Sequence, residues 1–314
     1  MKSSDAATVP AVPAVSHATF GAALSLLAVV AGVAMDVLAK TAAITAAPSQ
    51  IALLRWSYCL LLLVPLLIVT RVKPGSPWRR IHLWRALLNI AATFCLYVGL
   101  ATLPLSVVAA VFYVEPLAAM ILASYFLREH LGWWRWLGVA IALVGILMMT
   151  GMGDLRLDPM ILVPMAGAIA WGSMQVITRA AGRSDNVLAL MFWLAIATTI
   201  GMAPVAALQW APLTARDHLL MLGVAGLGTL YSLLALQTLK LAPVRVLATI
   251  SFLSLPVAFL AGYLFFGEHL TWLAGFGGAG VLGGVALALR PGRKAPAPAR
   301  EPLAPRDDLP RRQG

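Results

Sequence analysis

The chain has 314 residues, 61% of them hydrophobic and only 11% charged, against roughly 25% charged in soluble domains. With a mean hydropathy of +0.88, this composition excludes an ordinary soluble domain and points to an integral membrane protein. The formal net charge of +11 does not imply a nucleic-acid partner, which would need a basic face on a soluble module; here the cations fall between apolar runs.

A spanning helix needs about 20 apolar residues to cross a hydrocarbon core of roughly 30 Å. Runs of that kind occupy 18–40, 49–70, 83–101, 105–127, 134–151, 160–181, 187–209, 218–239, 244–266 and 271–289. The first ends in Met35-Asp36-Val37-Leu38-Ala39-Lys40. A carboxylate inside a span costs about 2.5–3.5 kcal/mol at the helix centre and somewhat less near an end, so Asp36 needs a partner. Lys40 is one turn further on, in the favourable acid-before-base order. Arg55, a short way into the second span, is the other candidate. The three residues form either a structural ion cluster, with Lys40 snorkelling outward, or a charged site for substrate or gating.

Arg85 opens the third span and reads as an interface cation. In the fourth, Glu115 of Phe112-Tyr113-Val114-Glu115-Pro116-Leu117 lies about 15 Å from the helix end, near the midplane. A carboxyl group there suits proton coupling; the alternative is permanent pairing with Arg85 or Asn89. Pro116 frees the carbonyl of Phe112 and is expected to kink the helix. The sixth span carries Trp171, Gln175 and Arg179. With Tyr97, Phe112, Tyr113, Tyr231 and Phe252, Trp171 is a candidate for an aromatic cavity lining, with ordinary packing as the alternative. Trp78, Trp84, Trp133, Trp134, Trp136, Trp210 and Trp272 lie near span ends, where aromatic anchors belong.

In the tenth span, Gly275-Phe276-Gly277-Gly278-Ala279-Gly280 matches the spacing of a dinucleotide fingerprint but lacks the strand and helix N-terminus that the motif requires. Gly280 and Gly284 instead suit close helix packing. The five histidines and two cysteines show no ligand spacing, so neither a metal nor a cofactor is expected. Pro, Ala and Arg dominate residues 290–314, read as a disordered basic tail.

The second half repeats the first. One register aligns Asp36 with Gln175, Lys40 with Arg179, Pro104 with Pro243, Glu129-His130-Leu131 with Glu268-His269-Leu270, Gly138 with Gly277 and Gly145 with Gly284. Five spans per half is an odd number, so the repeats must enter the membrane in opposite senses. The expected fold is all-α integral membrane, ten transmembrane helices as two inverted five-helix repeats: a tail at 1–17, repeats at 18–151 and 160–289, and the tail at 290–314. Inverted repeats recur in secondary transporters with a midplane site. Lys and Arg cluster in the even-numbered breaks and the C-terminal tail, which puts both termini in the cytoplasm.

Four stretches carry a resemblance over roughly 18–290: Leu54-Arg55-Trp56, Ala101 to Leu131, Ala168 to Arg179, and Phe259 to Leu270. Together they resemble the EamA-type ten-helix members of the drug/metabolite transporter superfamily. Asp36-x-x-x-Lys40 resembles the variant in members handling S-adenosylmethionine or riboflavin. The resemblance implies a non-enzymatic secondary transporter in the inner membrane, working by alternating access on an amino-acid-derived, nucleoside-like or flavin-like metabolite. Amino-acid or drug efflux is the alternative, and a non-transporting scaffold or receptor the rival class. Its expected partners are a small-molecule substrate, protons and the lipid bilayer, with a homodimer among the arrangements it allows. Candidate substrate or gate residues are Asp36, Lys40, Arg55, Tyr113, Glu115, Trp171, Gln175 and Arg179.

Overall fold

The computed structural model describes residues 14–72, 80–127, 132–150, 158–180, 187–241, 250–269 and 271–290. Most of both expected tails therefore lies outside the described residues, as do Trp78, Glu129-His130-Leu131 and Pro243. Among the described residues every regular element is helical, as lipid demands of an open chain, because a helix satisfies its own backbone. The helices are α1 (Ala14–Ala42), α2 (Pro48–Thr70), α3 (Arg80–Thr102), α4 (Leu105–Phe112), α5 (Val114–Leu127), α6 (Trp133–Thr150), α7 (Leu162–Ala180), α8 (Val187–Leu208), α9 (Ala215–Leu241), α10 (Ser254–Phe266) and α11 (Trp272–Ala288).

Among the described residues, seven stretches, from Phe20–Ala42 to Ala215–Ala235, are long and apolar enough to cross a membrane, while Trp133–Met149, Ser254–Phe266 and Trp272–Ala288 are shorter apolar helices. The expected ninth span, 244–266, lies partly outside the described residues. A 17-residue helix such as α11 rises about 25 Å, short of the roughly 30 Å core. The expected fourth span is two helices, α4 and α5, divided at Tyr113. That division falls beside Pro116, whose ring and missing N–H interrupt the regular ladder.

Turns at one end of the bundle are tied by side chains. Thr214 and Asp217 form a reciprocal cap at the start of α9: the Thr214 N–H donates to Asp217 Oδ2 at 2.7 Å and the Asp217 N–H to Thr214 Oγ1 at 3.3 Å. Thr45, beyond α1, donates to the other Asp217 oxygen at 2.7 Å. Fully buried Gln50, in the first turn of α2, donates to the Ala211 carbonyl at 2.9 Å and accepts from the Ala47 N–H at 3.0 Å. These bonds join the α1–α2 turn to the α8–α9 turn.

Packing crosses between the halves. α1 packs along α9, α3 along α7, α2 along α8 and α6 along α11. The α6–α11 contact is backbone against backbone. A Cβ on Gly138 would stand 2.5 Å from the Gly284 carbonyl oxygen, and one on Gly145 would stand 2.5 Å from that of Gly277. Large apolar side chains such as Leu61, Ile68, Leu219 and Leu264 point outward, as expected where the surrounding solvent is hydrocarbon. Trp84, Trp133, Trp134, Trp136, Trp210 and Trp272 are each more than half exposed near helix ends, in keeping with interfacial anchoring.

Candidate functional site

Three helices of the first half bring polar groups together in the core. Asp36 enters from α1, Arg55 from α2 and Tyr97 from α3. Asp36 Oδ1 and Arg55 Nη1 are buried and have no hydrogen-bond partner among the described residues. Arg55 is 7% exposed and Tyr97 fully buried. Asp36 lies within electrostatic range of Arg55, and the Tyr97 hydroxyl lies against the Arg55 guanidinium; the Lys40–Glu268 ion pair is elsewhere. The guanidinium lies over the Trp56 ring, 4.9 Å from its centroid. It also rests on the α9 backbone, where a Cβ on Gly228 would stand 3.1 Å from Arg55 Nη2. Polar groups left short of partners in the interior cost a few kcal/mol each, and charges more, so this cluster marks a place built for something other than stability.

A second polar group lies on α5 and α7. Gln175 Nε2 donates to Glu115 Oε1 at 3.3 Å, joining two residues that the sequence had set in different spans. Gly172 makes this approach close: a Cβ there would stand 2.5 Å from the Glu115 carbonyl oxygen. Of the expected alternative partners, Arg85 donates to Thr178 Oγ1 and Asn89 to Thr198 Oγ1, each at 2.8 Å. At the α4–α5 division the Tyr113 hydroxyl bonds to the Ser251 carbonyl at 2.9 Å and to Ser254 Oγ at 2.8 Å. Its ring faces Phe252 with centroids 6.1 Å apart. Trp171 meets Phe112 edge to face at 6.3 Å.

Tyr231 of α9 links the two groups. It is 42% exposed, yet lies within electrostatic range of Asp36, Glu115 and Tyr113. Its ring leans on α1 one turn before Asp36, 3.3 Å from where a Cβ on Gly32 would stand. Of the aromatic set, Tyr97 belongs to the packed core, while Tyr231 keeps an open face.

Lys40 does not complete the Asp36 cluster. Its ammonium pairs with Glu268, just beyond α10, at 3.4 Å, donates to the Leu103 carbonyl and lies 5.3 Å from the centre of the Phe266 ring. The reason is competition: the α3–α4 turn offers a free carbonyl, and Glu268 is held there by the start of α4. The Glu268 carboxylate accepts from the Leu105 N–H at 2.6 Å, the Ser106 N–H at 3.3 Å and Ser106 Oγ at 3.1 Å. It thereby caps α4, whose N-cap residue, Pro104, has no capping side chain. Gly267, at φ 63, turns the chain so that Glu268 reaches back. Sequence reasoning passed over Glu268, although its repetition as Glu129 was a visible signal. Arg179 lies in the last turn of α7, next to Thr178 at the Arg85 end of the bundle.

The model of the EamA-like transporter family matches the chain twice, over residues 19–151 and 158–290. The S-adenosylmethionine uptake transporter of Rickettsia bellii (strain RML369-C) is 24% identical over 246 residues, 77% of this chain and 84% of that protein. The riboflavin transporter of Rhizobium johnstonii (strain DSM 114642 / LMG 32736 / 3841) is 28% identical over 261 residues, 80% of this chain and 85% of that protein. One protein of known crystal structure shares the fold, with a TM-score of 0.64 at 17% identity over 86% of this chain and 98% of that one. With a doubled family match along nearly all its described length and a bundle of apolar helices, the chain belongs to the EamA-like transporter family and is a multi-pass membrane protein.

Proposed function

We propose that the protein is a secondary transporter that carries a small metabolite across the inner membrane by alternating access. The observation that carries this reading is the buried polar cluster of Asp36, Arg55 and Tyr97, with Asp36 Oδ1 and Arg55 Nη1 left without hydrogen-bond partners among the described residues, set in a family of transporters. A scaffold would have no use for such stranded groups. In this reading the three shorter apolar helices also cross, giving ten spans as two inverted repeats at 18–151 and 160–289. Support comes from reciprocity. Gly138 meets Gly284 while Gly145 meets Gly277, and each pair exchanges the repeat positions of the other, the signature of a two-fold relation. Tyr113 and Phe252, which meet ring to ring, occupy equivalent repeat positions in the same register.

With both termini cytoplasmic by the positive-inside rule, the Lys40–Glu268 contact closes the periplasmic end. Gln175 and Arg179 are the inner-gate candidates, and Glu115 is the group proposed to couple transport to protons. The relatives named for S-adenosylmethionine and riboflavin support an amino-acid-derived, nucleoside-like or flavin-like substrate. Counterflow in proteoliposomes against a metabolite panel, with and without a pH gradient, tests the reading. Glu115→Gln and Asp36→Asn should each slow exchange by about tenfold or more, with membrane abundance unchanged. Exchange of no compound would remove the transport reading, and parental rates in both variants would remove the site assignment.

A further inference from the structure

We propose that the cleft between α10 and α11 seats one acyl chain of a membrane phospholipid, entering from the leaflet at the Lys40–Glu268 end and reaching the start of α10. This goes beyond the transport reading and does not depend on it.

The cleft holds about 470 Å³ and is lined by apolar residues, from Leu260 and Gly275 at one end to Leu255, Pro256 and Leu282 at the other. Its cause is local. Gly278 lies under the Phe259 ring, where a Cβ would stand 3.0 Å from Cε2, while a Cβ on Gly275 would meet nothing within 4 Å. The two helices therefore touch at Gly278 and part at Gly275. No side chain in the lining donates or accepts a hydrogen bond, so a polar ligand would lose its bonds to water on entering and gain none. An apolar ligand loses nothing.

Length and depth select a chain. Gly275 is three residues past the start of α11 and Leu282 ten, so the cleft runs from about 5 Å to about 15 Å along the helix. That range falls within one leaflet of a hydrocarbon core roughly 30 Å thick. Above it Trp272, 75% exposed, marks the head-group level, and its ring meets Phe276 edge to face at 6.0 Å. A second copy of the protein fits less well: a standard protein interface takes about 20–30 residues a side, and seven line this cleft. The deep end meets the region of the candidate site. Leu255 and Pro256 follow Ser254, whose Oγ bonds to the Tyr113 hydroxyl at 2.8 Å. A seated chain braces that turn of α10.

The test uses the full-length protein in nanodiscs containing phosphatidylethanolamine with a diazirine at mid-chain or at the chain terminus, and maps the photo-adducts by peptide mass spectrometry. Adducts on Pro256, Phe259 and Ala279 are expected at least about fivefold above those on Leu61 and Ile200, outward-facing residues near the middle of α2 and α8. The terminal label should mark the deep end, at Pro256. Gly275→Leu fills the mouth without a clash and should bring the cleft down to the level of those controls, with an unchanged elution profile. Equal labelling of cleft and controls in the parental protein would overturn the site and leave only bulk lipid, whether or not the variant folds. Undiminished labelling of the cleft in a folded Gly275→Leu variant would overturn it as well. Absent cleft adducts, with a parental dimer that Gly275→Leu dissolves, would assign the cleft to a second copy instead.

Discussion

Glu268→Ala should loosen the end of the bundle that holds Lys40, at a cost of about 3 kcal/mol. Glu268 accepts from two backbone N–H groups, a hydroxyl and an ammonium, and alanine returns none of these bonds. The first N–H groups of α4 then lose their cap, and Lys40, with its side chain only 16% exposed, keeps the Leu103 carbonyl but no counter-ion. Truncating one partner of such a pair costs more than the pair contributes, because the other charge stays desolvated. Two measurements check this. The melting temperature in detergent should fall, and amide exchange over residues 105–108 should accelerate, because the Leu105 and Ser106 N–H groups point at the missing carboxylate. Glu268→Gln keeps one acceptor oxygen and should fall between the two. Unchanged exchange at Leu105 in the alanine variant would show that the cap contributes nothing to closure.

Gly145→Leu should be more damaging still, abolishing stable accumulation in the membrane. The first atom of any side chain at 145 would stand 2.5 Å from the Gly277 carbonyl oxygen and 2.7 Å from the Val281 nitrogen. Both are helix backbone, so relief requires α6 and α11 to separate along their length. Overpacking typically costs about 1–3 kcal/mol when side chains can yield; here none can. Gly283→Leu is the control, since a Cβ there meets nothing within 4 Å. Size-exclusion profiles of fluorescent fusions should show a monodisperse peak for Gly283→Leu and loss of it for Gly145→Leu. Equal behaviour of the two would mean that the α6–α11 contact does not hold the bundle together.

Much of this was legible in the chain. Hydropathy showed membrane residence, and the repeated Glu-His-Leu, proline and glycine positions showed the duplication, because both are properties of neighbouring residues and fixed registers. Reading Gly280 and Gly284 as a packing face rather than a dinucleotide motif also agrees with their contacts to α6, to which the structure adds Gly277. The expected tie between Asp36 and Lys40 followed from their spacing on one helix, and it missed the competitor. Lys40 answers to Glu268 because the α3–α4 turn offers a free carbonyl and two free N–H groups that only a distant residue can satisfy.

Local sequence determined which segments enter the membrane, where a proline would interrupt the fourth span, and that Asp36 and Glu115 needed an explanation. Tertiary structure decided the partners. Glu268 meets Leu105 across 163 residues, Gln175 meets Glu115 across 60, and Asp36, Arg55 and Tyr97 converge from three helices on one buried cluster. Helix periodicity states which side chains share a face of one helix. Which face meets which is set by the close approach of glycines and by the need of buried polar atoms for partners, and both are properties of the packed bundle.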